Sequence, residues 1–199
     1  NDEVLRVENL RLPRVGGGFT LDHLNFKLNK GEILGIYGLM GAGRSELFEC
    51  LMGLHKEAKG KVFLDGKDVT KGSVGDQIKM GMALIPEDRQ REGLVQALSV
   101  IHNMTLSSIW KFTKIFHILG EKLNNEVLGM IRNLSIKVPG PQVLISSLSG
   151  GNQQKVVIGK ALLTSPKVLL MDEPTRGIDV GAKADVFEIM NNLAGRGIG

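Results

Sequence analysis

Ile33-Leu34-Gly35-Ile36-Tyr37-Gly38-Leu39-Met40-Gly41-Ala42-Gly43-Arg44-Ser45 is the stretch on which the fold turns. Its first five residues are a continuous apolar run, which predicts a buried strand. Residues Ser45 to Met52 follow with helical periodicity. Between them the glycines keep the spacing of a phosphate-binding loop, matching its pattern at every fixed position but one. Glycines let successive backbone N–H groups wrap an anion at a helix N-terminus, where the peptide dipoles add partial positive charge. Gly38, Gly41, Ala42, Gly43, Arg44, Ser45 and Glu46 are therefore the expected phosphate contacts, and Ser45 is placed to ligate Mg²⁺. The exception is Arg44, which stands where lysine belongs. A planar guanidinium is bulkier than an ammonium and forks differently, so binding through the backbone should survive while transition-state stabilisation suffers. An ordinary glycine-rich turn would explain the glycines alone.

Outward from this loop the chain reads as an alternation of strands and helices. Val4–Val7 and Leu24–Leu28 alternate in polarity around a Gly16-Gly17-Gly18 loop, and residues 61–69 suggest a strand pair. Ala83-Leu84-Ile85 reads as a buried strand ended by Pro86. Residues 96–145 lose glycine and gain helical patterning at Leu119, Leu123, Val127, Leu128, Ile131 and Leu134. Five cationic residues there face two acidic ones, and the segment reads as an inserted helical subdomain. A helix from Gln153 to Leu163 is broken by Pro166. Val168–Met171 reads as a fully buried strand, and Ala182–Leu193 as an amphipathic helix.

Composition narrows the class. The 199 residues are 42% hydrophobic and 23% charged, which excludes disorder, collagen and coiled coil and suits one domain with a subdomain. One cysteine excludes a disulfide framework and a cysteine zinc site and fits a reducing compartment. Cys50 reads as a small buried hydrophobe. No apolar run approaches the ~18 residues that span a bilayer, and no signal peptide is visible. The chain begins with Asn1 rather than Met and reads as an excised piece. A net charge of +4 does not by itself suggest nucleic acid.

Two further strings carry chemistry. Val168-Leu169-Leu170-Met171-Asp172-Glu173 sets two acids at the carboxyl end of a strand, where ligands bind in α/β sheets. Asp172 suits Mg²⁺ contact and Glu173 suits polarising an attacking water. Leu148-Ser149-Gly150-Gly151-Asn152-Gln153-Gln154-Lys155 opens a helix with a serine-glycine turn, a second anion-binding N-terminus. An N-cap would explain the serine but not the whole string.

Together these strings resemble the ATP-binding cassette family. The detail is similar to the carboxyl-terminal cassette of tandem ATPases that drive bacterial sugar importers of the ribose, galactose and xylose type. Pro86-Glu87-Asp88-Arg89, Arg91-Glu92-Gly93-Leu94-Val95 and Asp172-Glu173-Pro174-Thr175-Arg176-Gly177-Ile178-Asp179-Val180-Gly181-Ala182-Lys183 carry it further, over nearly the whole chain. The resemblance implies an α/β P-loop NTPase cassette, with an antiparallel β subdomain over about 1–35, a mainly parallel core sheet and a helical subdomain. Residues 1–95 and 146–199 would form the nucleotide-binding core and 96–145 the helical subdomain. It implies ATP and Mg²⁺ as ligands and Glu173 as the catalytic base. Ser149, Gly150, Gly151 and Gln153 would form a signature offered in trans to a partner cassette's nucleotide. Asp179 would lie in the loop crossing the dimer seam.

Departures from the family pattern matter as much. Glu87 falls where most cassettes carry a metal-touching glutamine, so the metal set is expected to be Ser45, Asp172 and Glu87 with an added negative charge. Phe19 is the residue offered for stacking on adenine. The chain stops at Gly199, before the strand that carries a switch histidine, so it is expected to be C-terminally truncated. His23, His55, His102 and His117 are all read as surface or packing residues. The expected function is an ATP-binding domain of a sugar importer with a degenerate site of its own. Its expected partners are the N-terminal cassette of the same polypeptide, the membrane permease and, indirectly, a periplasmic sugar-binding protein. It would sit peripherally on the cytoplasmic face of the inner membrane, without nucleic acid. Two alternatives stand beside it: a fully active ATPase cassette, and a non-transport cassette acting on nucleic acid. For the latter, Trp110-Lys111-Phe112-Thr113-Lys114-Ile115-Phe116-His117 interleaves aromatic and basic residues as a stacking platform would. The plainer reading of that stretch is packing at a subdomain edge.

Overall fold

The structure is a computed structural model that describes residues 2–114, 117–118 and 120–199, side chains excepted at 114, 117 and 118. Leu119 and the Ile115-Phe116 pair lie outside the described residues. The chain divides into two compact units: residues 1–84 with 166–172 and 191–199, and residues 85–165 with 173–190.

The first unit is built on a four-stranded antiparallel sheet. Strands β1 (Glu3–Pro13) and β2 (Phe19–Asn29) pair with each other, β1 also pairs with β3 (Lys59–Leu64), and β3 pairs with β4 (Lys67–Asp68). The antiparallel sheet therefore extends beyond residue 35 to recruit residues 59–68. The register sets Val7 opposite both Phe26 and Val62, and Leu5 opposite Leu28 and Leu64. Alternation thus delivers one apolar face. That face packs with Leu47, Cys50 and Leu51 of helix α1 (Arg44–Leu51) into a single core. Helix α2 (Val74–Met80) follows, and the core also takes in Met82 of strand β5 (Met82–Ile85). Val168 and Leu170 of strand β8 (Val168–Met171), which is hydrogen-bonded to β5, complete it. Burial in β8 alternates, with Leu169 and Met171 only partly covered. The sequence pattern does not predict helix α2, although Ser73 and Asp76 form a capping box at its start.

One expectation is overturned. Ile33–Tyr37 forms no strand and is exposed, with Ile33 at 51% and Tyr37 at 93%. A strand exists through a neighbour that takes its backbone hydrogen bonds, and none of the described residues supplies one to this run. Apolar composition expresses what a segment can bury; it does not provide the cover.

The second unit is mainly helical. It holds a π-helical turn at Arg89–Gly93, α3 (Val100–Thr105), a small hairpin of β6 (Thr113–Lys114) and β7 (His117–Ile118), α4 (Gly120–Asn133) and α5 (Gly150–Leu162). The hairpin interrupts the helical pattern expected across 96–145. Val100, Met104, Val127, Ile145, Val156 and Ile158 are fully buried there. Gly159 lets α3 and α4 close on α5, since a Cβ there would stand 2.7 Å from Met104 Cε and 3.0 Å from Met130 Cγ. Helix α6 (Val180–Gly195) begins in this unit and ends in the first. The helices α5 and α6 each start earlier than the sequence pattern suggests, because polar and glycine residues at a first turn carry no apolar signal.

Candidate functional site

In the first unit, the glycine loop leads into α1 as its spacing requires. Gly43 is the N-cap residue at φ +86°, in the left-handed region that favours glycine. It also has no room for a side chain, because a Cβ would lie 2.9 Å from Leu21 Cδ2 and 3.1 Å from the Thr20 carbonyl oxygen. Gly41 is likewise at φ +77°, and Ala42 N–H donates to the Leu39 carbonyl at 3.0 Å to close the turn. Leu39, Met40, Gly41 and Ala42 are exposed, while Gly38, Arg44, Ser45 and Glu46 are half-covered. Glu46 sits in the first helical turn. The loop is thus an open cradle at a helix N-terminus.

Across this unit Ser45 Oγ donates to Asp172 Oδ2 at 2.5 Å, linking residues 127 apart in the chain. Asp172 is buried at the end of β8. A hydroxyl and a buried carboxylate side by side are hard oxygen ligands of the kind Mg²⁺ takes alongside retained waters, so these two residues fit that ion. Phe19, offered for adenine stacking, is 48% exposed on β2, with the Arg11 guanidinium 5.4 Å above its ring. Cys50 is buried and its thiol is pushed up to about 12, first by burial and then by Glu57, Glu49 and Glu46. It is an inert packing residue at neutral pH. His55 bridges Glu49 at 2.7 Å and Glu57 at 3.1 Å. His23 lies against Arg11 and Asp22, and His102 in the second unit bonds Ser99 Oγ at 2.9 Å. The side chain of His117 lies outside the described residues.

In the second unit, Ser149 is the N-cap of α5 and accepts from Asn152 Nδ2 at 3.0 Å. It remains exposed, Gly150 is half-covered and Gly151 is buried. A Cβ on Gly151 would fall 2.5 Å from Ala182 Cβ, so this glycine lets α5 close on the start of α6. Gln153 is buried and used internally: its Nε2 donates to the Ile145 and Leu148 carbonyls, and its Oε1 accepts from Gln90 Nε2 at 2.6 Å. Asp179 caps α6 by accepting from Ala182 N–H at 2.9 Å, which holds its carboxyl below the ordinary range. Glu87 forms an ion pair with Arg176. Glu173 is exposed and takes a left-handed backbone, φ +41°, a conformation that costs a non-glycine residue about 1–2 kcal/mol.

Where it is described, the aromatic–basic stretch is packed in part, with Trp110 left 44% exposed. Phe112 is buried, and Lys111 Nζ donates to the Leu163 carbonyl at 3.1 Å and to Ser165 Oγ at 2.8 Å. Arg89 and Arg176 stand in the family strings without a role of their own, and Gln90 lies between two of those strings. Their partners are 63 to 89 residues away, and no local spacing encodes such pairings.

A glycine loop entering a helix, a serine hydroxyl on a strand-end aspartate and a serine-glycine turn opening a second helix define an α/β P-loop nucleotide-binding cassette. A family model described as ABC transporter matches residues 21–176, and the chain belongs to that family. It is 46% identical over 202 residues to the xylose import ATP-binding protein XylG of Geobacillus kaustophilus, covering 99% of this chain and 40% of that protein. The protein of the same name from Pectobacterium atrosepticum is 41% identical over 196 residues, 96% of this chain and 38% of that one. The chain thus spans about two-fifths of the relatives it matches. A nucleotide-free ATP-binding cassette from an ABC transporter superposes with a TM-score of 0.84 at 26% identity, covering 98% of this chain and 79% of the other. The ADP conformation of the cassette MJ1267 gives the same score and identity, over 100% and 79%. The fold is the α/β cassette with an antiparallel β subdomain, a parallel sheet and helices. No helix among the described residues is long and apolar enough to cross a membrane.

Proposed function

We propose that this chain is an ATP-binding cassette of a bacterial sugar importer, of the kind whose relatives are named for xylose import. The observation that carries the reading is the Ser45–Asp172 contact at the mouth of the glycine loop in the first unit; the second unit, taken by itself, presents an exposed Ser149 turn on α5. The phosphates of ATP lie in the cradle of Gly38, Gly41, Ala42, Gly43, Arg44, Ser45 and Glu46, held by backbone N–H groups and the dipole of α1. Ser45 and Asp172 hold Mg²⁺, which neutralises phosphate charge when bound. Glu87 is the third expected metal contact, and its pairing with Arg176 offsets the charge it adds. Glu173 accepts a proton from the attacking water. Phe19 stacks on the adenine.

Arg44 makes this site the weaker of a pair. A guanidinium cannot lie over the loop as a compact ammonium does, so the chief contribution of this half is its signature. Ser149 and the backbone of Gly150 and Gly151 meet the γ-phosphate held by the N-terminal cassette of the same polypeptide, with Gln153 anchoring them from beneath. Asp179 sits in the loop at the seam. Residues 1–95 with 146–199 are the nucleotide-binding core; residues 96–145 meet the membrane permease, itself served by a periplasmic sugar-binding protein. The cassette rides peripherally on the cytoplasmic face of the inner membrane. A second reading, a fully active cassette, is favoured by the intact Ser45–Asp172 contact and by Glu173. Steady-state ATP hydrolysis by this chain alone, with Glu173→Gln as control, separates the two. Glu173-dependent turnover rejects the degenerate site. For the assembled transporter, Ser149→Arg should abolish transport-coupled hydrolysis; unchanged hydrolysis removes the role in trans.

A further inference from the structure

Within the second unit, the short string Glu87–Gln90 reaches two other segments at once. Arg89 Nη1 donates to the Arg176 carbonyl at 2.8 Å and Nη2 to the Gly177 carbonyl at 3.0 Å. Glu87 forms its ion pair with the Arg176 side chain, and Gln90 donates to Gln153 beneath the signature turn. The guanidinium is seated rather than free in solvent: Arg89 Nε is buried and finds no hydrogen-bond partner among the described residues. Its nook depends on two glycines. A Cβ on Gly150 would stand 2.8 Å from Arg89 Nη2, and Gly177, at φ +64°, turns the chain so that two successive carbonyls face one guanidinium.

We propose that Arg89 is a positioning residue, whose fork locks the Arg176–Gly177 loop against Gly150 so that the Ser149 turn and the Asp179 loop form one rigid contact surface. This rests on the reading that Ser149 and Asp179 meet a partner's nucleotide. A fork is required because two adjacent carbonyls must be held at once, in one plane. An ammonium carries the charge but cannot reproduce that planar pair. Arg89 touches no nucleotide; it acts through the two segments it joins.

The test uses the full-length ATPase with its permease and three variants: Arg89→Gln, Arg89→Lys and Ser149→Arg. Misplacing a reacting group by about 1 Å costs up to about a hundredfold, so both Arg89 variants should lower kcat by between about ten- and a hundredfold. KM for Mg-ATP should stay within about twofold, since the phosphate loop is untouched. Backbone amides of residues 178–182 should exchange with deuterium about tenfold faster. Should Arg89→Gln fail to fold, Arg89→Lys, which keeps the charge and loses only the fork, carries the test by itself. Wild-type kcat in Arg89→Lys, or in both Arg89 variants while Ser149→Arg is inactive, overturns the proposal. If Ser149→Arg has no effect, the reading in trans fails by itself. Amide exchange then decides for Arg89: faster exchange supports the lock and unchanged exchange rejects it.

Discussion

Gly151→Ala isolates the packing role of a signature glycine from any role at a nucleotide. In an open first turn of a helix, alanine in place of glycine stabilises by about 0.5–1 kcal/mol. Here the new methyl would stand 2.5 Å from Ala182 Cβ, against the ~3.5–4.0 Å of a normal carbon contact. About 1 Å must open between α5 and α6, and overpacking of that kind costs about 1–3 kcal/mol. The net expectation is a loss centred on about 1 kcal/mol. The next nearest atoms to the built Cβ, Ala182 Cα and Asp179 Oδ2, are 3.8 Å away, an ordinary contact distance. Removing the opposing methyl with Ala182→Gly should therefore reverse the sign, so that Gly151→Ala becomes neutral or stabilising. Urea unfolding of the four proteins, followed by far-ultraviolet circular dichroism, should give a coupling of about 1 kcal/mol or more. Equal costs in both backgrounds, or a Gly151→Ala protein as stable as its parent, would refute the steric argument.

Three other perturbations probe parts of the fold. Ser135 sits at φ +50° just past α4, where Ser135 and Ile136 N–H groups bond the Arg132 and Ile131 carbonyls in a Schellman closure; Ser135→Gly should stabilise by about 0.5–1 kcal/mol in urea melts. Lys155 is buried and pairs with Asp185 Oδ2 at 2.8 Å, and Asp185 is half in solvent; Asp185→Ala should cost about 1–2 kcal/mol, more than Lys155→Met, because it strands a buried charge. For His55, burial lowers the imidazole pKa, but the hydrogen bonds to Glu49 and Glu57 outweigh it and the net shift is upward. A raised folded value means stability is fully present below the ordinary 6.5 and is lost as pH rises through the folded value. The urea midpoint should fall across that window, and His55→Gln should flatten the fall.

Much of the candidate site was legible in the chain because its motifs are local. Gly43 is dictated by a left-handed turn at a helix start, Ser149 by a cap, and Asp172 by a strand that ends at a ligand-bearing edge. In each case the physics lies within a few residues, so spacing alone exposes it. Gln153 is legible as a motif member but not in its use, since its side chain is taken up by the Ile145 and Leu148 carbonyls and by Gln90 from another segment. The Ile33–Tyr37 run departs from its strand pattern for a related reason: its apolar residues are visible in the chain, but a strand is a relation between two segments.

The sequence by itself determined the class of chemistry, the phosphate loop with its arginine, the strand-end acids and the signature turn. Periodicity and conformational preference act over one or two turns of backbone, and they are written in order along the chain. Only the tertiary structure decided that Ser45 meets Asp172, that Glu87 is paired by Arg176, and that Arg89 clasps two carbonyls beside Gly150. Those contacts join residues 87 to 127 positions apart. Their energies depend on distance and burial in the folded chain, quantities that a linear pattern does not contain.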